Sequence, residues 1–275
     1  MSEGSDPVPA GPSPNAAAMP TRAGEPVLRM TGISKTFGAV RALQDVDFEV
    51  YAGEVVGLVG DNGAGKSTLI KAIAGVNPPD TGKFYVEGRQ LSISTPQDAT
   101  HAGIETVYQD LALADNLDVV ANMYLGREDI NPLGLNEIQM EVETTRVLKQ
   151  LDVKTLKSVR SLVAQLSGGQ RQSIAVARTI LRNPRVVLLD EPTAALGVAQ
   201  TKQVLNLIRS LRAQGLGVVV ISHNLADIFE VVDRVIVMRL GKRVATYDIH
   251  QTTPEQVVAA ITGAEFGAAA DHAEQ

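Results

Sequence analysis

Three short stretches of this chain carry residue types that could act on a phosphate ester. The first is Gly60-Asp61-Asn62-Gly63-Ala64-Gly65-Lys66-Ser67, which fits G-x-x-x-x-G-K-[ST]. Glycines in such a loop let backbone amides converge on phosphate oxygens with no Cβ in the way. Lys66, Ser67 and Thr68 open a helix, whose first amides and dipole favour an anion. The lysine of this pattern reaches the outer phosphates and the serine hydroxyl serves a Mg²⁺ ion. The second stretch, Val186-Val187-Leu188-Leu189-Asp190-Glu191, is an apolar run that ends in two acids. Asp190 is placed to hold Mg²⁺ through water, and Glu191 is the candidate for polarising an attacking water. The third, Leu166-Ser167-Gly168-Gly169-Gln170, offers a hydroxyl, glycine amides and a following helix, which is a second anion-binding helix start. His223 follows the apolar run Val218 to Ile221, where a neutral imidazole can hydrogen-bond a terminal phosphate or the surroundings of the attacking water.

These stretches need elements to hold them, and the hydrophobic pattern supplies an alternating α/β series. Strands are expected at Val27 to Phe37, Val46 to Val50, Glu54 to Gly60, Lys83 to Val86 and Glu105 to Tyr108. A helix is expected over Lys66 to Ala74, with turn chemistry at Pro78 to Gly82. From about Asp118 to Leu166 the spacing turns helical, at Val119 to Leu125 and Glu137 to Leu151, with no strong strand between. Helix Gln170 to Leu181, strand Arg185 to Asp190, helix Ala199 to Ala213, strand Gly217 to Ile221 and helix Leu225 to Val231 follow. Strands Arg234 to Met238 and Arg243 to Tyr247 and a helix from Pro254 close the series. Such alternation implies a mainly parallel sheet covered on both faces. There is no internal repeat.

Composition narrows the function classes. The chain has 275 residues with 44% hydrophobic, enough for a substantial core. Its formal net charge of -6 is a poor match to nucleic acid. Cysteine is absent, which removes disulfides and cysteine-held metals from consideration and fits a reducing compartment. No apolar run approaches the ~18 residues of a spanning helix. Residues 1–26, rich in Pro, Ala, Gly and Ser, read as a disordered tail and not as a secretory signal, and 264–275 as a second tail. The expectation is a chain that stays in the cytoplasm.

Taken together these motifs resemble the ABC ATPases. Leu166 to Gln170 matches the LSGGQ signature of that family in full and lies ahead of the Asp190–Glu191 strand, as the family requires. Gln109 stands where the family has its Q-loop and His223 where it has its switch histidine; Phe37 stands where an aromatic, usually tyrosine, stacks on adenine. The motif order covers about Val27 to Gly263. The resemblance implies a P-loop NTPase (RecA-like) α/β core with an antiparallel β subdomain and an α-helical subdomain inserted at about 110–166. It implies ATP and Mg²⁺ as ligands. Gly60, Asn62, Gly63, Gly65, Lys66, Ser67, Thr68 and Phe37 contact the nucleotide from one side, and Ser167, Gly168, Gly169 and Gln170 from a second copy arranged head to tail. Ser67, Gln109 and Asp190 serve the metal, and Glu191, His223, Lys66 and Gln109 the chemistry.

Glu105 to Gln109 (ETVYQ), Asn122 to Arg127 (NMYLGR), Ala195 to Gly197 (ALG) and Ile221 to Asn224 (ISHN) resemble the monosaccharide-importer branch, of the fructose, ribose or xylose kind. Gly197 departs from the wider family, which usually has aspartate there. That branch implies an integral membrane permease as partner, indirectly a periplasmic sugar-binding protein, and a place on the cytoplasmic face of a bacterial inner membrane. Many members fuse two ATPase halves; this chain shows one, so a homodimer is expected. The competing readings are a soluble ABC ATPase acting on ribosomes or DNA, and a nucleotide-dependent regulatory module. The paired halves or long coiled coil of the first are not seen, and Glu191 and His223 speak against the second. A P-loop kinase or GTPase leaves the LSGGQ stretch unexplained.

Overall fold

The computed structural model describes residues 24–132, 134–153 and 156–264. The expected tails lie outside the described residues, except for 24–26 and 264. Strands β1 (Leu28–Phe37), β2 (Val40–Val50), β3 (Val55–Gly60), β4 (Thr81–Val86), β5 (Arg89–Leu91) and β6 (Ile104–Val107) belong to the first half of the chain. Helices α1 (Lys66–Ile73) and α2 (Pro96–His101) interrupt them. Helices α3 (Val119–Tyr124) and α4 (Glu137–Gln150) follow, with a small hairpin of β7 (Ile130–Asn131) and β8 (Gly134–Leu135) between. The second half alternates: α5 (Gly168–Ile180), β9 (Val186–Asp190), α6 (Val198–Ala213), β10 (Gly217–Ile221) and α7 (Leu225–Val231). It ends with β11 (Arg234–Arg239), β12 (Lys242–Asp248) and α8 (Pro254–Thr262).

Two sheets organise these elements. The larger runs β12-β11-β3-β10-β9-β6, and all its pairs are parallel except β11–β12. The smaller is antiparallel, in the order β2-β1-β4-β5. The apolar runs β3, β9 and β10 are buried on both faces, which is why they read as continuous rather than alternating. Their period of two still divides them. Val187, Leu189, Val218, Val220, Val235 and Val237 enter the core under α5 to α8. Val186, Leu188, Val219, Ile221, Ile236 and Met238 enter a second core, with Leu69, Ile70 and Ile73 of α1 and Phe48 and Phe84 of the antiparallel sheet.

Four elements lay outside the sequence expectation: β5, α2 and the β7–β8 hairpin. All are short, and α2 buries only Ala99. It is held instead by a capping box, in which Thr95 and Asp98 each satisfy the other's backbone. The stretch between β6 and α5 carries the two expected helices plus that hairpin. Val119, Met123, Val147, Leu148 and Leu151 from it join the same core as β9 and β10. A fanned ion-pair set holds it from outside, where Arg160 meets Asp118, Glu137 and Glu141.

Candidate functional site

The glycine-rich loop leaves β3 at Gly60, whose φ is 151°. A Cβ there would lie 2.2 Å from the Met238 carbonyl oxygen of β11, so the loop can turn this close to its neighbour strand only as glycine. The turn between β11 and β12 braces the loop from the other side. The Gly241 N–H donates to Ala64 O at 3.0 Å, and the Gln44 N–H donates to Gly241 O at 2.8 Å. Gly65 then caps α1, and Lys66 begins it. The Lys66 ammonium folds back on its own loop, donating to Gly60 O at 2.7 Å and Asp61 O at 3.0 Å. An ammonium has three protons, so one remains for an anion. Burial pushes Lys66 below the ordinary lysine range, and the charges of Glu191, Asp61 and Asp190 oppose that shift.

The carboxylates come from β9, which lies two strands from β3, across β10. Asp190 ends β9 and is paired in register with Ile221 of β10. Burial, and then the charge on Glu191, raise its carboxyl above the usual range, with Lys71 and Lys66 pulling the other way. Glu191 has a φ of 49°, and its N–H donates to Ile221 O at 2.9 Å. That bend takes its side chain off the strand direction. Its Oε2 lies 2.8 Å from Nδ1 of His223, the second residue past β10.

Two adjoining cavities follow from this arrangement. One, of about 700 Å³, is lined by Asn62, Gly63, Gly65, Lys66, Ser67 and Thr68 together with Val40, Arg41 and Leu240. The other, of about 480 Å³, is lined by Gly60, Asn62, Lys66, Glu191 and His223. Asn62 and Lys66 belong to both walls. An extended polyanion lying along the glycine loop thus has a cation at its middle and a carboxylate–imidazole pair at one end.

Not every expected residue joins this constellation. Phe37 ends β1, 46% exposed, with Lys35 Nζ at 5.6 Å from its ring, and it lies outside both walls. Gln109 lies exposed two residues past β6, and outside both walls as well. Ser167, Gly168, Gly169 and Gln170 form the cap and first turn of α5. Ser167 Oγ accepts from the Gln170 N–H at 3.3 Å and Gln170 Oε1 accepts from the Ser167 N–H at 2.9 Å. Both glycines are closely packed, since a Cβ on Gly168 would lie 2.9 Å from Leu196 Cδ2, in the turn before α6, and one on Gly169 3.1 Å from Gln200 Cβ of α6 itself. These four residues line neither cavity. Gly197 stands as the cap of α6, with its N–H donating to Gln200 Oε1 at 3.3 Å.

Sequence reasoning missed Val40, Arg41 and Leu240. Leu240 reaches the cavity from the tip of the β11–β12 turn, where its φ is 47°. Nothing local marks it; only the clamp of that turn on the glycine loop brings it there. Among the described residues no cluster of three His, Cys, Asp or Glu could hold a metal alone.

A family model described as ABC transporter matches residues 43–194. The fructose import ATP-binding protein FrcA of Rhizobium meliloti is 44% identical over 248 residues, 88% of this chain and 95% of that protein. The xylose/arabinose import ATP-binding protein XylG of Sulfolobus acidocaldarius is 43% identical, over 88% of this chain and 96% of that protein. A crystal structure of an ATP-binding cassette of an ABC transporter in its ADP conformation superposes with a TM-score of 0.72 at 26% identity, covering 87% of this chain and 96% of that one.

Proposed function

This chain belongs to the ABC transporter family of ATP-binding proteins and is an ATPase, and from that premise we propose that it drives import of a monosaccharide. The observation that carries the reading is likeness along nearly the whole length to two proteins named for import of fructose and of xylose or arabinose, each above 40% identity. Neither is named for work on ribosomes or DNA.

ATP lies along the glycine loop on this reading, with its triphosphate on the amides of Asn62 to Ser67 and on the free proton of Lys66. Ser67 and Asp190, with Gln109 supplying an amide oxygen, present hard oxygen donors of the kind Mg²⁺ prefers. Bound there, the ion neutralises charge that builds on the phosphates. Glu191 Oε2 orients the attacking water, and His223 holds Glu191 in place through Nδ1. Little covalent chemistry is asked of the protein; the residues position and stabilise charge.

Ser167 to Gln170 cap a helix away from the cavities of their own chain, so they serve a nucleotide held by another copy. The functional unit is then a homodimer with ATP between the glycine loop of one copy and the capped helix of the other. Among the described residues no helix is long and apolar enough to cross a membrane. Passage of the sugar therefore belongs to a permease, with a periplasmic binding protein delivering the sugar to it. The ATPase docks on that permease at the cytoplasmic face of the inner membrane. Residues 27–263 form the ATPase domain in this scheme, with about 110–166 as its inserted helical subdomain.

The test is an affinity pull-down of the chain from detergent-solubilised membranes of its own source. A polytopic permease should come with it, and the ATPase rate of the complex should rise when a sugar-loaded binding protein is added. Recovery of ribosomal or DNA-repair proteins with no membrane partner would keep the ATPase and end the importer reading.

A further inference from the structure

The tip of the β11–β12 hairpin breaks a local rule. Arg239 pairs with Lys242, so Leu240 and Gly241 form a two-residue turn, and both have positive φ, 47° and 78°. That pattern belongs to the type I′ turn, whose first central position favours Asn, Asp or Gly. A leucine there carries a strained backbone. Its side chain recovers nothing from the core of its own chain, since it is 71% exposed. A strained backbone and an apolar side chain left in water are two costs at one residue, and a ligand that covers the side chain offsets them.

The turn is also held still. Gln44 grips it twice, its N–H donating to Gly241 O at 2.8 Å and its Nε2 to Leu240 O at 3.1 Å, while the Gly241 N–H donates to Ala64 O of the glycine loop. A Cβ on Gly241 would lie 2.9 Å from Ala42 O, so the turn sits flush against β2. Leu240 is thus fixed relative to the glycine loop by the chain's own bonds. Where it falls along a nucleotide follows from the two cavities. The smaller holds Glu191 and His223, and the two share Asn62 and Lys66. With the terminal phosphate at that shared wall, the nucleoside occupies the rest of the larger cavity. Val40, Arg41 and Leu240 line only the larger one. Val40 is 65% exposed there, whereas its register partner Phe37 lies outside the wall. Two exposed aliphatic side chains at the nucleoside end suit the flat apolar face of a base.

We propose that Leu240, with Val40, covers the nucleobase, and that the strained turn after β11 is kept for this contact. The proposal rests on the placement of ATP along the glycine loop and adds what holds its base. Cover of a face scales with area, so a purine gains more from it than a pyrimidine.

The experiment measures binding by calorimetry, with Mg²⁺, for the unmodified chain and for Leu240→Asn. Asparagine suits the type I′ position, so the backbone is relieved while the apolar cover is lost. ADP serves as the probe because it avoids turnover; CDP carries a smaller base, and inorganic pyrophosphate, read by competition against ADP, carries none. Leu240→Asn should weaken ADP roughly fivefold, CDP less, and pyrophosphate by under about twofold, with a nucleotide-free melting temperature level or raised. Undiminished ADP affinity overturns the base contact. So does an equal loss for pyrophosphate, or a lower melting temperature, since either puts Leu240 to work in holding the loop. No ADP binding by the unmodified chain, or ADP binding that pyrophosphate does not compete with, overturns the placement along the glycine loop, and the base contact with it.

Discussion

Nδ1 of His223 lies 2.8 Å from Oε2 of Glu191, joining the residues that follow two neighbouring parallel strands. The His223 side chain is 77% exposed and that of Glu191 18%, so the imidazole stands at the mouth and the carboxylate behind it. An ionised carboxylate can only accept, so the Nδ1 that faces it donates, and Nε2 faces away from Glu191. On the proposed reading the pair positions Glu191 for the attacking water and leaves His223 a second contact to make.

Glu191→Gln keeps the size of the side chain and removes its basicity. We expect ATP binding to persist, turnover to fall by about 10²–10⁴-fold, and the protein to accumulate as an ATP-held dimer. Phosphate release assays and gel filtration with ATP read both parts; near-normal turnover would remove Glu191 from the proposed role. Lys66→Ala should lose most nucleotide affinity by calorimetry, since it deletes the one cation common to both cavities.

Asp190 offers a test with opposite signs. Its carboxyl is raised above the usual range, chiefly by burial. An acid with a raised folded pKa binds its proton more tightly when folded, so stability falls as pH rises from the unfolded value through the folded one. Above that window the ionised group is a standing cost. Asp190→Asn should therefore raise the melting temperature of the nucleotide-free protein at neutral pH by roughly 1–2 °C, the partial exposure of the group limiting the gain. The same change should weaken Mg²⁺-dependent nucleotide binding. A lower melting temperature would mean that Asp190 is held by contacts that outweigh its desolvation.

Two loop glycines should respond differently to alanine. At Gly60 the new Cβ would lie 2.2 Å from Met238 O, and the backbone must move. At Gly63 the φ is 78° but nothing lies within 4 Å, so only the left-handed conformation is penalised. Urea unfolding should show a loss of about 3 kcal/mol or more for Gly60→Ala and about 1 kcal/mol for Gly63→Ala. Equal losses would show that the strand contact at Gly60 relaxes freely.

A buried ion pair ties the start of the central strand to its neighbour. Arg234 Nε donates to Glu54 Oε1 at 2.9 Å, with both side chains at most 2% exposed. Arg234 also reaches Glu49 O of β2 at 2.9 Å, so it links the two sheets. Arg234→Met strips a buried carboxylate of its cation and should cost about 3–5 kcal/mol in denaturant unfolding. Glu54→Gln in the Arg234→Met background should recover part of that loss; no recovery would place the cost in packing instead of charge.

The sequence by itself determined the local units. The glycine loop could be read because its spacing falls between an apolar strand and a helix, and Ser167 to Gln170 because a cap and a helix start are local patterns. The strands β3, β9 and β10 announced themselves through unbroken apolar runs. Short elements held by caps or edges, such as α2 and the β7–β8 hairpin, carried too little apolar periodicity to stand out. What only the tertiary structure decided is which units meet. Strand register set Asp190 beside Ile221, and so brought Glu191 to His223, 32 positions along the chain. The β11–β12 turn brought Leu240 to a loop that begins at Gly60, and the ends of α3 and α5 brought Arg127 to Arg178. Periodicity encodes the face an element buries, but not its neighbour. Partners are chosen by the packing of whole faces, and that choice made these contacts.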